Sequence, residues 1–156
     1  RSKQSSSSAA SDVYKRQRYR KLHWAHSPKW ETYEENYEEP WFGFDCIRDL
    51  KGLPYEIVLV RLPGHTKGHC GVSIQTSNGW LLHAGDSYYF HKQMDKYPKT
   101  PLMVNLFQRF AHIDHEKAME TKNRVRELAL QHKDEITVMC SHDTLEFESL
   151  SKTEVN

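Results

Sequence analysis

The sequence has few of the features that mark membrane, secreted and disulfide-rich proteins. It contains no apolar run near the roughly 20 residues that span a bilayer, and its amino terminus lacks the apolar block of a secretory signal. The cysteines Cys46, Cys70 and Cys140 are spaced too widely for a disulfide framework or a CxxC metal knuckle. We therefore expect a cytoplasmic protein, not bound to a membrane, whose thiols are reduced and buried.

The sequence also lacks an excess of either charge. It has 22 Lys and Arg residues against 21 Asp and Glu residues, so its formal net charge is +1. Without a strong overall field we expect no nucleic-acid partner, and we look instead for a local site that binds a small-molecule substrate. The length of 156 residues allows one domain with a core. Neither length nor charge defines an oligomeric state.

Residues 1–17 differ sharply in composition from the rest of the chain. Their sequence, RSKQSSSSAASDVYKRQ, is polar and rich in Ser, with almost no periodic apolar residues. Such a segment buries too little surface to offset the entropy lost on ordering. We expect a disordered, tag-like or artefactual segment here, and we assign the folded domain to residues 18–156.

Apolar patterns predict a small mixed sheet in the folded domain. Strands are predicted at residues 41–47, 57–62, 69–76 and 79–84. The alternation of Cys70, Val72 and Ile74 supports the third of them. The pair Asn78-Gly79 favours a tight hairpin turn between the third and the fourth, because both residues tolerate positive φ.

A helix and a fifth strand are predicted to return the chain to this sheet. The amphipathic helix runs from Asp114, its N-cap, to His132. A short β-branched strand at residues 136–140 follows, so helix and strand together predict a crossover. A shorter helical piece is predicted at residues 104–110, and the tail after Glu148 is expected to fray.

Three segments place residue types that bind metals just past the ends of strands. They are Leu62-Pro-Gly-His-Thr-Lys-Gly-His69, Ala84-Gly-Asp86 and Cys140-Ser-His142-Asp143. Strand direction alone brings His65 and Asp86 to one edge of the sheet, and the crossover can bring His142 to the same edge. For His69 we expect a structural hydrogen bond, and for Asp143 either an orienting contact or a turn.

Imidazole and carboxylate side chains at one edge suit a divalent metal ion. Zn²⁺ accepts such donors, and Fe or Mn is the alternative where oxygen ligands share the site. A carboxylate can bridge two ions, whereas each imidazole nitrogen binds one, so Asp86 would link a His65 ion to a His142 ion. Two such cations acidify a shared water to hydroxide and polarise a carbonyl or phosphoryl oxygen. The expected chemistry is hydrolysis.

These segments resemble ligand motifs of the metallo-β-lactamase superfamily, which includes glyoxalase II and the acyl-homoserine lactonases. LPGHTKGH is similar to its third ligand motif, HAGD to the segment with its bridging aspartate, and CSHD to its last histidine. The resemblance implies an α/β fold, an αβ/βα sandwich with a mixed sheet flanked by helices. It also implies two divalent metal ions held by His65, Asp86 and His142.

The resemblance extends more weakly to Tyr89, which follows Asp86 by three residues. A tyrosine of the lactonase branch stands in the same place and hydrogen-bonds the substrate carbonyl or the leaving oxygen. The resemblance therefore implies catalytic roles for Asp86 and Tyr89. A rim aromatic without a catalytic role is the alternative for Tyr89.

One superfamily motif is absent from the sequence. Nothing matches His-x-His-x-Asp-His, and the closest string, His112-Ile-Asp-His115, has the wrong spacing and is typical of an exposed helix cap. The resemblance then implies that residues 18–156 are a partial domain, the carboxyl-terminal half of the sandwich. Because open catalytic zinc sites usually keep three protein ligands, we expect this chain alone to be a poor enzyme or none.

The leading interpretation is a fragment of a dinuclear metal-dependent hydrolase that cleaves an ester, lactone or thioester through a metal-bound hydroxide. A phosphodiesterase or nuclease of the same superfamily is the first alternative, and the near-neutral charge argues mildly against it. The second alternative is a non-catalytic module in which the His and Asp residues only support the fold. A module of that kind would contain no stoichiometric transition metal.

Overall fold

The computed structural model describes residues 21–33 and 40–153. Residues 1–17, predicted to be disordered, lie outside the described residues, so that prediction and its boundary stay predictions. The chain forms two compact units that divide after Tyr33. The described part of the first unit contains a turn of 3₁₀ helix at Lys21–Trp24.

The second unit is built on a five-stranded mixed sheet. Its strands, in chain order, are β1 (Cys46–Ile47), β2 (Ile57–Arg61), β3 (Cys70–Thr76), β4 (Gly79–His83) and β5 (Ile136–Met139). They keep that order in the sheet; the first four pair antiparallel, and β5 pairs parallel with β4. The predicted α/β fold with a mixed sheet is confirmed, and so is the crossover that returns the chain beside β4.

Helices flank this sheet. In the described part of the unit they are α1 (Leu102–Ala111), α2 (His115–Gln131) and α3 (Thr144–Thr153). The helix predicted from Asp114 is α2, and the Asp114 side chain accepts a hydrogen bond from Lys117 N at 2.9 Å. Such an N-cap stabilises a helix by about 1 kcal/mol. None of the helices in the described ranges is long and apolar enough to cross a bilayer.

The core of the second unit lies between the sheet and α2. Val58, Val60 and Leu82 on the strands and Val125 on α2 are fully buried and belong to one apolar cluster. Burying such a side chain contributes about 1.5–3 kcal/mol. This packing fixes α2 against the strands that carry the candidate site.

The alternation that predicts β3 is present, but its apolar residues do not face the core. Gly71 and Ser73 are the buried residues of the strand. Space is short there, because a Cβ at Gly71 would lie 2.8 Å from Leu62 Cδ1. Cys70 and Ile74 are exposed instead, so the prediction of a buried thiol is wrong for Cys70.

The hairpin between β3 and β4 forms, with its turn one residue earlier than predicted. Thr76 pairs with Gly79, so Ser77 and Asn78 are the central residues. Positive φ occurs at Gly79, at +106°, and not at Asn78. A Cβ at Gly79 would lie 2.4 Å from Glu135 O, so both the backbone angle and the close approach of the chain require glycine.

Two predicted boundaries are wrong. The first predicted strand is reduced to β1 and an isolated bridge between Trp41 and Phe44, because the chain turns between them at Gly43, where φ is +79°. The tail that was expected to fray after Glu148 is helical as far as Thr153. The helix that it forms, α3, follows the loop of the last candidate ligand.

Candidate metal centre

The candidate site lies at the edge of the sheet where β2, β4 and β5 end. Both β2 and β4 are antiparallel to β3, and β5 is parallel to β4, so all three run in one direction. The loops that follow them carry His65, Asp86 and His142. The topology therefore brings the three predicted ligands to one edge.

Asp86 contacts both histidines, one with each carboxylate oxygen. His65 Nε2 lies 2.9 Å from Asp86 Oδ2, and His142 Nε2 lies 3.0 Å from Asp86 Oδ1. His65 is 5% exposed, whereas the His142 side chain is 49% exposed. The three side chains meet as the sequence predicts, while their role as metal ligands stays a prediction.

His69 fixes the backbone of Asp86. The Asp86 N–H donates to His69 Nε2 at 3.0 Å, so the ring proton is on Nδ1, which donates to Leu62 O at 2.7 Å. Gly85 permits this approach with φ +57°, since a Cβ there would lie 2.7 Å from His69 Nε2. The structural hydrogen bond expected of His69 is present.

Tyr89 contacts both histidines. Its hydroxyl lies 3.0 Å from His65 Nδ1, and its ring stacks on His142 with centroids 5.0 Å apart and planes 15° apart. Phe107 of α1 packs edge-on against the same ring at 5.5 Å. The side chain is buried and lies inside the site rather than at its rim.

The histidines keep Asp86 ionised. The hydrogen bond from His65 holds the pKa of Asp86 well below its ordinary value, against the opposing effect of burial. The neighbouring His65 and His142 rings also lower this pKa. The carboxylate is therefore in the form that binds cations throughout the neutral pH range.

His112 is buried beside the site, so the expected exposed cap is wrong for this residue. It is 8% exposed, and its ring lies edge-on to His65 with centroids 5.6 Å apart. Burial, followed by the neighbouring His65 and His115, lowers the pKa of His112 to about 4. Within the described residues neither ring nitrogen has a hydrogen-bond partner. Asp114, from the same string, does cap α2.

The side chains at the site are of the types that bind divalent ions, but there are too few of them to form a complete set of ligands. Imidazole nitrogens and carboxylate oxygens are donors that zinc, iron and manganese ions accept. Within residues 21–33 and 40–153, however, no group of three or more His, Cys, Asp or Glu side chains is arranged to hold a metal ion. Any ion bound at Asp86 would need donors beyond the two histidines that contact it.

Glu146, which none of the motifs includes, joins two of the site loops. It accepts hydrogen bonds from the Tyr88 hydroxyl at 2.8 and 2.9 Å and from Cys140 N at 2.9 Å. Asp143 accepts from His91 N and from His91 Nδ1, both at 2.7 Å, and also from Glu146 N at 3.3 Å. The Asp-x-x-Glu spacing at a helix start is the sequence signal that indicates this pair.

Two curated proteins are similar to most of this chain. A probable metallo-hydrolase of Mycobacterium tuberculosis and one of Mycobacterium bovis are each 31% identical to it over 134 residues, which is 86% of this chain and 43% of theirs. The chain thus spans less than half the length of the curated relatives it matches. No family model matches the chain.

Solved structures of lactone hydrolases are similar to part of the chain. An N-acyl homoserine lactone hydrolase with N-hexanoyl-L-homoserine bound at its catalytic metal center is 25% identical over 64% of this chain and 35% of its own, with a TM-score of 0.46. The AiiA protein of B. thuringiensis, with N-decanoyl-L-homoserine bound at its active site, gives the same values.

The curated relatives define the class of protein to which the chain is related, the metallo-hydrolases. The predicted relation of this chain to metal-dependent hydrolases is thereby confirmed.

Proposed function

We propose that this chain supplies part of the active site of a dinuclear metal-dependent hydrolase, which acts on an ester, lactone or thioester bond of a small molecule. The observation that carries the proposal is a single carboxylate shared by two imidazoles, at 2.9 Å from His65 and 3.0 Å from His142. A bridging carboxylate between imidazoles suits two ions, one on each side. The names of the curated relatives agree with the reaction type.

In this proposal His65 would hold one ion and His142 the other, and Asp86 would contribute its carboxylate to both. Zn²⁺ is the ion we propose, with Fe or Mn as alternatives, because mixed nitrogen and oxygen donors accept all three. Such ions, when bound, acidify a water to hydroxide and polarise a carbonyl oxygen. The low pKa of Asp86 keeps its carboxylate available for both ions at neutral pH.

Tyr89 is proposed to contact the substrate. If His65 uses Nε2 for a metal, its proton is on Nδ1 and is donated to the Tyr89 oxygen, 3.0 Å away. The phenol hydrogen then points away from His65 and can donate to the carbonyl or leaving oxygen of a substrate. The stack on His142 holds the Tyr89 ring in this orientation.

We further propose that hydrolysis belongs to a longer protein and that this chain alone is a poor enzyme or none. Each ion would find one imidazole and one shared carboxylate among the described residues, whereas catalytic zinc sites usually keep three protein ligands. The greater length of the curated relatives supports this. A cytoplasmic location is also part of the proposal, supported by three cysteines that form no disulfide with one another.

Metal analysis of the purified chain tests the proposal. We expect saturable zinc binding, weaker than that of sites with three protein ligands, measured by calorimetry and by elemental mass spectrometry. Asp86→Ala should abolish it, and His65→Ala or His142→Ala should weaken it by about 10-fold or more. His132→Ala is the matched control, because His132 pairs with Glu135 at the carboxyl end of α2. Absence of zinc from the wild-type chain, or binding that survives Asp86→Ala, would contradict the proposal.

A further inference from the structure

We propose that Glu146 is a positioning residue, which fixes the distance between the loop that carries Asp86 and the loop that carries His142. Glu146 itself is not proposed to touch metal or substrate. The inference rests on the proposed function, because it treats Asp86 and His142 as the residues that must be held together.

One carboxylate joins both loops. The Tyr88 hydroxyl donates to Glu146, at 2.8 Å from Oε1 and 2.9 Å from Oε2, and the Cys140 N–H donates to Oε2 at 2.9 Å. Tyr88 stands two residues after Asp86, and Cys140 stands two residues before His142. The hydrogen bonds to Glu146 therefore connect the side chain of a residue close to Asp86 with the backbone close to His142.

Neighbouring contacts hold Glu146 in this place. Asp143 accepts hydrogen bonds from Glu146 N at 3.3 Å and from His91 N at 2.7 Å, so it joins the start of α3 to the chain after β4. Ser141 N donates to Gly85 O at 3.0 Å, and these residues directly precede His142 and Asp86. The two loops are thus joined by a second contact close to the candidate ligands.

The contact between Tyr88 and Glu146 combines a buried donor with a carboxylate acceptor. Tyr88 is fully buried, and hydrogen bonds to an ionised carboxylate are shorter and stronger than those between neutral groups. Without the carboxylate, the Tyr88 hydroxyl and the Cys140 N–H would lose their acceptor inside the protein. We expect the two loops to relieve this loss by moving apart, which separates Asp86 from His142.

Zinc titration of variants tests the positioning role. Glu146→Gln keeps the size of the side chain but removes its charge and replaces one of its two acceptor oxygens by an NH2 donor. Both hydrogen bonds to this side chain should weaken, so zinc affinity should fall by about 10-fold or more. Glu148→Gln, an exposed change on the same helix, should bind zinc as the wild type does. Tyr88→Phe should also lower the zinc affinity. The double variant Tyr88→Phe with Glu146→Gln should bind zinc no more weakly than Glu146→Gln alone, because both changes affect the same hydrogen bond between Tyr88 and Glu146. Unchanged zinc affinity in Glu146→Gln would overturn the proposal.

A measurement without metal separates this proposal from the proposed function. The Tyr89 ring, stacked on His142 at 5.0 Å, shields the His142 ring protons, so their NMR shifts report the position of the loop. In Glu146→Gln these shifts should move towards their values in the unfolded chain while the circular dichroism stays that of the wild type. Glu148→Gln should leave them in place. Tyr88→Phe, which keeps the Cys140 contact, should move them less.

The outcomes distinguish the two proposals. If the wild type binds no zinc but the His142 shifts move in Glu146→Gln, the proposed function fails and the positioning role stands. If the His142 shifts do not move, Glu146 does not position the loop, whatever the zinc result. Should Glu146→Gln not fold, Tyr88→Phe decides in the same way.

Discussion

The two histidines of the candidate site are held in different ways. His65 is 5% exposed, and its own carbonyl oxygen accepts a hydrogen bond from Ile113 N at 3.2 Å, just before α2. The side chain of His142 is 49% exposed, and in the segment before it Cys140 N donates a hydrogen bond to Glu146 at 2.9 Å. One side of the site is therefore part of the core, and the other is a surface loop held by a carboxylate.

This difference indicates that one donor is preorganised and the other is adjustable. A buried imidazole in fixed geometry loses little freedom when an ion arrives, whereas a half-exposed one must be restrained by its neighbours. Variants on each side of the site test this difference.

Gly64→Ala should have the largest effect on stability, because it disrupts the buried loop that carries His65. Gly64 has φ +131°, and a Cβ there would lie 2.3 Å from Ala118 N of α2. Since two pieces of backbone must move, the free energy of unfolding should fall by about 3 kcal/mol or more in denaturant titrations. Gly68→Ala is the control: nothing lies within 4 Å of its Cβ position, so the change should stay within about 0.5 kcal/mol. Similar values for the two variants would show that the His65 loop is not rigid.

The rigid side should also lose stability in mild acid. Burial lowers the pKa of His112 from 6.5 to about 4. Between these values the unfolded chain binds a proton that the folded chain does not, so the free energy of unfolding should fall as pH drops from about 6.5 to 4 and then level off. We expect the free energy of unfolding to fall by at least about 1 kcal/mol over this range. In His112→Phe this fall should be absent. His26→Gln, at an exposed position in the first unit, should keep the slope. An equal slope in the wild type and in both variants would contradict this explanation.

Phe147→Ser should have the smallest effect, because it lies on the adjustable side. Phe147 is 63% exposed and lines a cavity of about 390 Å³ together with His142. Its replacement should change the free energy of unfolding by less than about 0.5 kcal/mol. Leu128→Ala in the core should cost about 2–5 kcal/mol in the same titration. A loss of unfolding free energy in Phe147→Ser as large as that in Leu128→Ala would show that the His142 side is packed as tightly as the His65 side.

The meeting of the three loops could be predicted from sequence because it depends on strand direction. The apolar run that ends before Pro63 predicts one strand, and the turn at Asn78-Gly79 predicts the two strands on either side of it. The amphipathic helix before residue 136 predicts the crossover. The Glu146 contact with Tyr88 could not be predicted in this way, because it joins residues 58 apart. No local pattern indicates which buried hydroxyl a helix carboxylate will reach.

The errors have local causes. The string from His112 to His115 is polar in sequence, but the hydrogen bond from Ile113 N to His65 O draws this segment against the site and buries the first ring. In β3 the small residues Gly71 and Ser73 are buried, and a larger residue at Gly71 would collide with Leu62 and with β4. Burial of small and polar residues is set by tertiary packing and is not visible in an apolar alternation.

The proposed function requires that Asp86 would hold two divalent ions, one shared with His65 and the other with His142. A crystal of this chain soaked in zinc and measured at the zinc absorption edge tests it directly through the anomalous difference map. We predict two peaks, one between Asp86 and His65 and one between Asp86 and His142. A map in which Asp86 carries no peak, while zinc occupies other sites, would contradict the account.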